Sequence, residues 1–398
     1  MNVLFLMFVY PDGHRSFNMY TTLAGEFAKN EHKVIVIAPA EKGSKSASRM
    51  EMGVKVVRVR TFPLKNVSPI IKGFSNLLLP WQFRRAIKRY EAHTKFDLIV
   101  IPTPPITLTG LAESLKKRHS AQLYLILRDI FPQNAVDLRF FIKGGLIHRY
   151  FRYKEKKLYR VADHIGCMSP GNIQYILKHN PWINMAKLHE LKNFQILYND
   201  NSNTKQEIRQ KYDLEDKFVV VFGGNMGRPQ QLENVIELAS RCCKFNDVLF
   251  LLLGEGIMIN SLRNKVNGLG FKNIRIMSTL PKREYQMLIS ACDLGLISLN
   301  ECFTIPNIPS KTLDYFNVGL PILASIDKAT DYNVILEESG AGLWSYAGNH
   351  DAFMRNFELL YHDSSLRSKM AQSGRAYFLK YLTPDIAYNS VISNVCIV

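Results

Sequence analysis

The sequence lacks paired cysteines, metal motifs and long apolar runs. No apolar stretch approaches the length of a bilayer, which removes a membrane-spanning helix from the readings. The opening Met1–Tyr10 is apolar. It has neither a basic leader nor a small-residue cleavage site, so it reads as a buried first strand, and the chain is expected to stay in the cytosol. Six cysteines (Cys167, Cys242, Cys243, Cys292, Cys302, Cys396) form no C-x-x-C and have no histidine at metal spacing. They read as buried thiols in a reducing compartment. There is no D-x-D and no H-E-x-x-H, so neither a metal nor a cofactor is expected. Repeats and low-complexity tracts are absent as well.

Acidic residues are scarce in one half only. Residues 1–200 hold 31 Lys+Arg against 14 Asp+Glu, and residues 201–398 hold 20 against 20, so the first half carries the whole net charge of +17. Such a half attracts anionic lipid headgroups, a pyrophosphate-bearing acceptor or nucleic acid. Two stretches concentrate it: Trp81–Tyr90, preceded by the apolar segment Ile70–Pro80, and His148–Arg160. An apolar segment leading into a basic aromatic helix suits an interfacial membrane contact. No nucleic-acid recognition module is present, and no nucleic-acid partner is expected.

Short apolar runs alternate with amphipathic patterns. Strands are expected at Val3–Val9, Val34–Ala38, Val56–Val59, Leu98–Ile101, Leu123–Leu127 and Ile165–Met168. After a polar linker at Asn184–Asn203, further strands are expected at Phe218–Phe222, Val248–Leu253, Ile274–Met277, Leu294–Ser298 and Ile322–Ala324. Alternation of this kind predicts two parallel-sheet α/β domains, residues 1–200 and 201–398, with the last helix able to pack on either. Ligands are expected beyond the carboxyl ends of the strands, in a cleft between the domains.

Five segments at those ends carry candidate chemistry. Ile308-Pro309-Ser310-Lys311-Thr312-Leu313-Asp314-Tyr315 reads as a helix start capped by Ser310, a place for a phosphate, with Lys311 beside it and Asp314 one turn on for ribose hydroxyls. Gly223-Gly224-Asn225-Met226-Gly227-Arg228 reads as a glycine loop, with Arg228 a fork of donors for a diphosphate. Asp12-Gly13-His14-Arg15-Ser16 precedes a helix, where an anion is stabilised, although it is not G-x-G-x-x-G. Arg128-Asp129 pairs a cation and a carboxylate at a strand end, and Gly254-Glu255-Gly256 reads as a tight turn.

Arg128–Pro132, Gly224–Gly227, Gly254–Gly256 and Pro309–Tyr315, together with Leu158–Asp163, Met168–Gly171 and Gly319-Leu320-Pro321, resemble the retaining GT-B glycosyltransferases of family 4. Within that family they are similar to bacterial capsule and O-antigen enzymes, among them the N-acetyl-L-fucosamine transferases. The resemblance implies two Rossmann-like domains facing each other across a cleft. It also implies a UDP-sugar donor in the C-terminal domain, a polyprenyl-pyrophosphate-linked saccharide acceptor, and peripheral attachment to the anionic cytoplasmic face of the inner membrane. The base is then expected near Ser278, Thr279 and Leu280. The ribose is expected on Asp314 and the diphosphate near Ser310, Lys311 and the Gly224–Arg228 loop, with Asn225, Gln230, Glu255 and Pro309 among the donor-binding residues. Arg128 and Asp129 join Lys311 and Arg228 in the catalytic set, with Asp12–Ser16 on the acceptor side. Three positions depart from the family pattern. A pair of acids becomes Pro306 and Asp314, the diphosphate clamp aligns with Asn225 and Gln230, and a histidine aligns with Arg128. Two other readings stand beside this one: a UDP-sugar 2-epimerase of the same fold, and a non-enzymatic nucleotide- or nucleic-acid-binding protein.

Overall fold

The structure, a computed structural model, describes residues 1–12, 17–41, 43–64, 67–199 and 204–395. It divides into two compact units, 1–195 with 384–398, and 196–383.

The first unit runs β1 (Asn2–Leu6), α1 (Met19–Lys29), β2 (Lys33–Pro39), β3 (Ala47–Glu51), β4 (Val54–Val59), α2 (Pro69–Tyr90), β5 (Leu98–Pro102), α3 (Thr109–His119), β6 (Gln122–Ile126), α4 (Gln133–Asp137), α5 (Leu146–Val161), β7 (His164–Cys167), α6 (Pro170–His179) and β8 (Leu188–Glu190). Its sheet has the order β3-β4-β2-β1-β5-β6-β7-β8, all parallel except β3. Continuous apolar strands suit this arrangement, because helices cover both faces of the sheet. One cluster of Phe5, Phe27, Tyr124 and Tyr388 seals one side. Helix α1 starts where Asn18 accepts hydrogen bonds from the Tyr20 and Thr21 amides, a reciprocal capping box.

The second unit runs α7 (Lys205–Lys211), β9 (Phe218–Gly223), α8 (Glu233–Arg241), β10 (Val248–Leu253), α9 (Ile259–Gly268), β11 (Ile274–Met277), α10 (Lys282–Ser290), β12 (Leu294–Ser298), α11 (Lys311–Val318), β13 (Ile322–Ile326), α12 (Tyr332–Ser339), β14 (Gly342–Tyr346), α13 (His350–His362) and α14 (Ser364–Tyr381). The parallel order is β11-β10-β9-β12-β13-β14. Each sheet reverses direction of growth once, between β1 and β5 and between β9 and β12. That switch point is where open α/β sheets receive ligands.

The expected strands are present, with shifted ends. Three further strands escape the pattern: β3 is polar and exposed, β8 has three residues, and β14 is only partly covered. Strand β8 lies inside the stretch expected as linker, and the chain passes between units at 195/196. Of the last helices, α14 packs on α11 in the second unit. The final helix, α15 (Pro384–Val395), packs on α1, where the Tyr388 hydroxyl meets His32 Nε2 at 2.8 Å. Cys243 and Cys302 are exposed rather than buried, and the five described cysteines are free.

Candidate functional site

The switch point of the second sheet is built from two loops and a helix start. Beyond β9 the backbone turns through Gly223–Gly227, and beyond β10 through Gly254–Gly256. The two loops interlock: the Gly224 amide donates to Leu253 O at 2.8 Å, and the Met226 amide to Glu255 O at 2.8 Å. Gly254 has φ of 152°, and a Cβ there would sit 1.8 Å from Gly224 O. The glycine thus permits backbone to lie on backbone. The side chain of Asn225 folds over this junction, since Cβ atoms at Gly227 and Gly256 would meet its amide.

Tyr315, buried on α11, ties the switch point together. Its hydroxyl accepts from the Gly223 amide and lies 3.2 Å from both Val221 O and Leu296 O, so it bridges β9 and β12. Helix α11 ends as expected at Gly319 in the left-handed conformation, φ 68°. Its start differs from expectation. Ser310 stands at the cap position with helical backbone angles and makes no capping hydrogen bond through its side chain. The Thr312 amide donates to Pro309 O and the Leu313 amide to Ser310 O, so the first turn occupies part of the donor set expected for a phosphate.

Lys311 is the cation that this geometry aims at the loop. Its Nζ donates to Gln230 Oε1 at 2.5 Å and lies 4.7 Å from the centre of the Phe222 ring. A Cβ on Gly224 would be 3.3 Å from its Cε. Burial pushes its amine down to about 8, against the pull of Asp314. Gln230 thus lies beside the lysine, and Arg228, in the same 3-10 turn, has an exposed side chain. That turn is fixed from the segment after β12: the Asn300 amide donates to Pro229 O and its side chain to Arg228 O. Asp314 is ion-paired with Lys282, a partner that no sequence signal announced. Glu255 is exposed on the β10 loop. Ser278, Thr279 and Leu280 follow β11, two strands from the switch point.

In the first unit, Gly13, His14, Arg15 and Ser16 lie outside the described residues. Asp12 accepts from Arg49 at 3.1 Å, the outer end of a network that sequence reading missed. Arg49 and Arg58 both grip buried Glu51, and Arg58 also donates to Tyr10 O and Pro11 O, pinning the chain that leaves β1. Burial alone would raise the Glu51 carboxyl. Hydrogen bonds from Arg58 and Arg49 outweigh it and hold the group below its ordinary range. Arg49 and Glu51 come from β3, whose polar surface gave no strand signal, and Arg58 from the neighbouring β4.

Arg128 is buried, and its guanidinium turns inward. It donates to Leu191 O at 2.9 Å and reaches Lys192 O at 3.4 Å, strapping the end of β6 to the segment after β8. Its Nε is buried without a hydrogen-bond partner. These contacts make Arg128 a strut between the end of β6 and the segment after β8. The Asp129 carboxyl is raised by burial, partly offset by Arg128. Tyr20, on α1, senses both charges, and burial pushes it up to about 12.

Residues 18–193 match the family model Glycosyltransferase Family 4, and residues 204–377 match Glycosyl transferases group 1. A probable glycosyltransferase of Pseudomonas aeruginosa, WbjE, is 23% identical over 299 residues, 72% of this chain and 71% of that one. Among solved structures, Anabaena Alr3699/HepE in complex with UDP superposes with a TM-score of 0.71 at 13% identity, covering 100% of each chain. WaaG, a glycosyltransferase involved in lipopolysaccharide biosynthesis, gives 0.73 at 14% identity, covering 98% of this chain and 99% of that one.

Proposed function

The chain belongs to the GT-B glycosyltransferases, with a family 4 domain followed by a group 1 domain, and we propose that it moves an N-acetylated amino sugar from a UDP-sugar to a polyprenyl-pyrophosphate-linked acceptor. The step belongs to bacterial capsule or O-antigen assembly and retains the anomeric configuration. The observation that carries this reading is Lys311, a desolvated cation held by Gln230 beside the glycine loop at a switch point. The UDP of the HepE complex and the lipopolysaccharide role of WaaG support the donor and the pathway class.

Sugar transfer is difficult because a nucleoside diphosphate must leave an anomeric carbon. Negative charge grows on the diphosphate while positive charge grows on the ring. A fixed cation in a dry site lowers that barrier without reorganising at the moment of reaction. Lys311 supplies it at the loop, and Arg228 reaches from the exposed side. The acceptor hydroxyl attacks the face that the diphosphate leaves and gives its proton to a diphosphate oxygen, so no separate base is required. Asp129, raised by burial against the charge of Arg128, orients the acceptor. The membrane contact lies on the first unit, at residues 70–90, as its charge implies. Among the described residues no helix is long and apolar enough to cross a membrane.

Isothermal titration with UDP tests the donor side. Wild-type protein is expected to bind UDP, and Lys311→Ala to bind it about tenfold or more weakly, the loss of one charge-assisted contact. Equal binding by a folded Lys311→Ala protein contradicts the assignment.

A further inference from the structure

The connection between α4 and α5 is a built apolar projection. Phe131, Phe141 and Phe151 pack as a triad, with ring centres 4.9 to 5.8 Å apart. Backbone bonds close the loop upon it: the Phe140 amide donates to Ala135 O, and the Gly145 amide to Ile142 O. The Gly144 amide donates to His148 Nδ1 at 3.2 Å. This base holds Ile142 and Leu146 out into solvent, 84% and 86% exposed, with Phe140, Ile147, Tyr150 and Tyr153 exposed around them. Folded chains rarely hold large aliphatic side chains in water on so firm a base without something to cover them.

A second apolar strip lies on the same layer. On α2, Ile71, Phe74, Leu77 and Trp81 are exposed at helical spacing on one face, opposite buried Ser75, Leu79 and Phe83. Both α2 and α5 pack against the 3-10 turn Ile106–Leu108, which follows the carboxyl end of β5. Each helix runs back toward the start of a parallel strand, so its N-terminal half lies at the carboxyl edge of the sheet. The two apolar strips therefore flank the edge where Asp129 stands, and Phe131, in the aromatic base, is two residues from it.

Within the two segments themselves the charge has one sign. No Asp or Glu occurs from Leu138 to Lys154 or from Pro69 to Tyr90. Arg139, Lys143 and Arg149 surround the first strip, and Arg84, Arg85 and Lys88 continue the exposed face of the second. Lys154 lies over the Tyr150 ring at 5.5 Å. Aliphatic tips, an aromatic collar and cations without acids are what an anionic bilayer interface takes up.

We propose that Phe140–Ile147 is a membrane wedge. Together with the N-terminal half of α2 it seats in the interfacial layer of an anionic bilayer and sets the Asp129 edge at headgroup level, where a lipid-borne pyrophosphate lies. The orientation rests on the lipid-linked acceptor reading; the wedge itself rests on exposure, packing and charge.

Cosedimentation of the full chain with phosphatidylcholine vesicles, with and without phosphatidylglycerol, tests it. Wild type is expected on the anionic vesicles only, and to come off in high salt. The double variant Ile142→Glu/Leu146→Glu should lose about tenfold or more in partitioning while UDP binding is unchanged. In Ile142→Trp, the fluorescence added by the new indole should shift to the blue and be quenched by brominated lipid. Equal sedimentation of wild type and double variant, or no quenching of that added fluorescence, overturns the wedge. The acceptor reading is separated by turnover. With a water-soluble short-chain pyrophosphate acceptor the double variant should match wild type, and with the polyprenyl acceptor in vesicles it should fall behind. No turnover with either acceptor, while vesicles still hold wild type and release the variant, overturns the acceptor reading and leaves the wedge standing.

Discussion

At the scale of single residues, two charges decide the account. Lys311 is a lysine made costly by burial, which pushes its amine down to about 8. Its cation is therefore full at neutral pH and lost as pH rises through that value. The pH profile of kcat/KM, which reports the free enzyme, is expected to show a descending limb near 8 that Lys311→Arg moves to higher pH. At pH 7, Lys311→Ala is expected to lower kcat on the order of 10²–10³, a few kcal/mol of transition-state stabilisation. Glu51 acts on stability instead. Its carboxyl is held below the ordinary value of 4.5, so its contribution is complete above that value and is lost as pH falls through the lower folded one. Glu51→Gln leaves Arg58 buried without its counter-ion. Urea unfolding at pH 7 is expected to show a loss of about 3 kcal/mol, shrinking as the pH of the comparison is lowered.

Among the elements, the interlocked loops after β9 and β10 carry the site. Gly254→Ala would place a Cβ on Gly224 O and force a left-handed conformation, so both loops must shift. A lower melting temperature and weakened UDP binding are expected together, by scanning calorimetry and titration; an unchanged melt would contradict the packing described. This is also the scale at which the sequence was readable and then was not. Val248–Leu253 and Phe218–Gly223 were legible because a strand covered on both faces must be apolar throughout. The Lys311 helix start was legible because Pro309 and Gly319 bracket it. Strand β3 was not, since an edge strand facing water carries no apolar period, and its Arg49–Glu51–Arg58 network went unread with it. Nor was the inward turn of Arg128. Sequence shows a cation at a strand end, but only the fold shows that the carbonyls of Leu191 and Lys192 lie behind it. The Lys282–Asp314 pair joins residues 32 apart, and no local pattern signals it.

For the whole molecule, the division of charge matches a division of labour. A neutral second unit carries the loop and lysine suited to a nucleotide diphosphate. The first unit holds the net charge of +17 and exposes apolar strips among its cations. The reading to be tested is transfer of a sugar from a UDP-sugar to a lipid-linked acceptor. Its most direct measurement is nucleotide release from a panel of UDP-sugars, with and without polyprenyl-pyrophosphate saccharide. UDP is expected from one amino-sugar donor, only when the lipid acceptor is present, and none from Lys311→Ala on the same timescale. Release at the same rate without any acceptor, or conversion of the donor to its epimer, would contradict it.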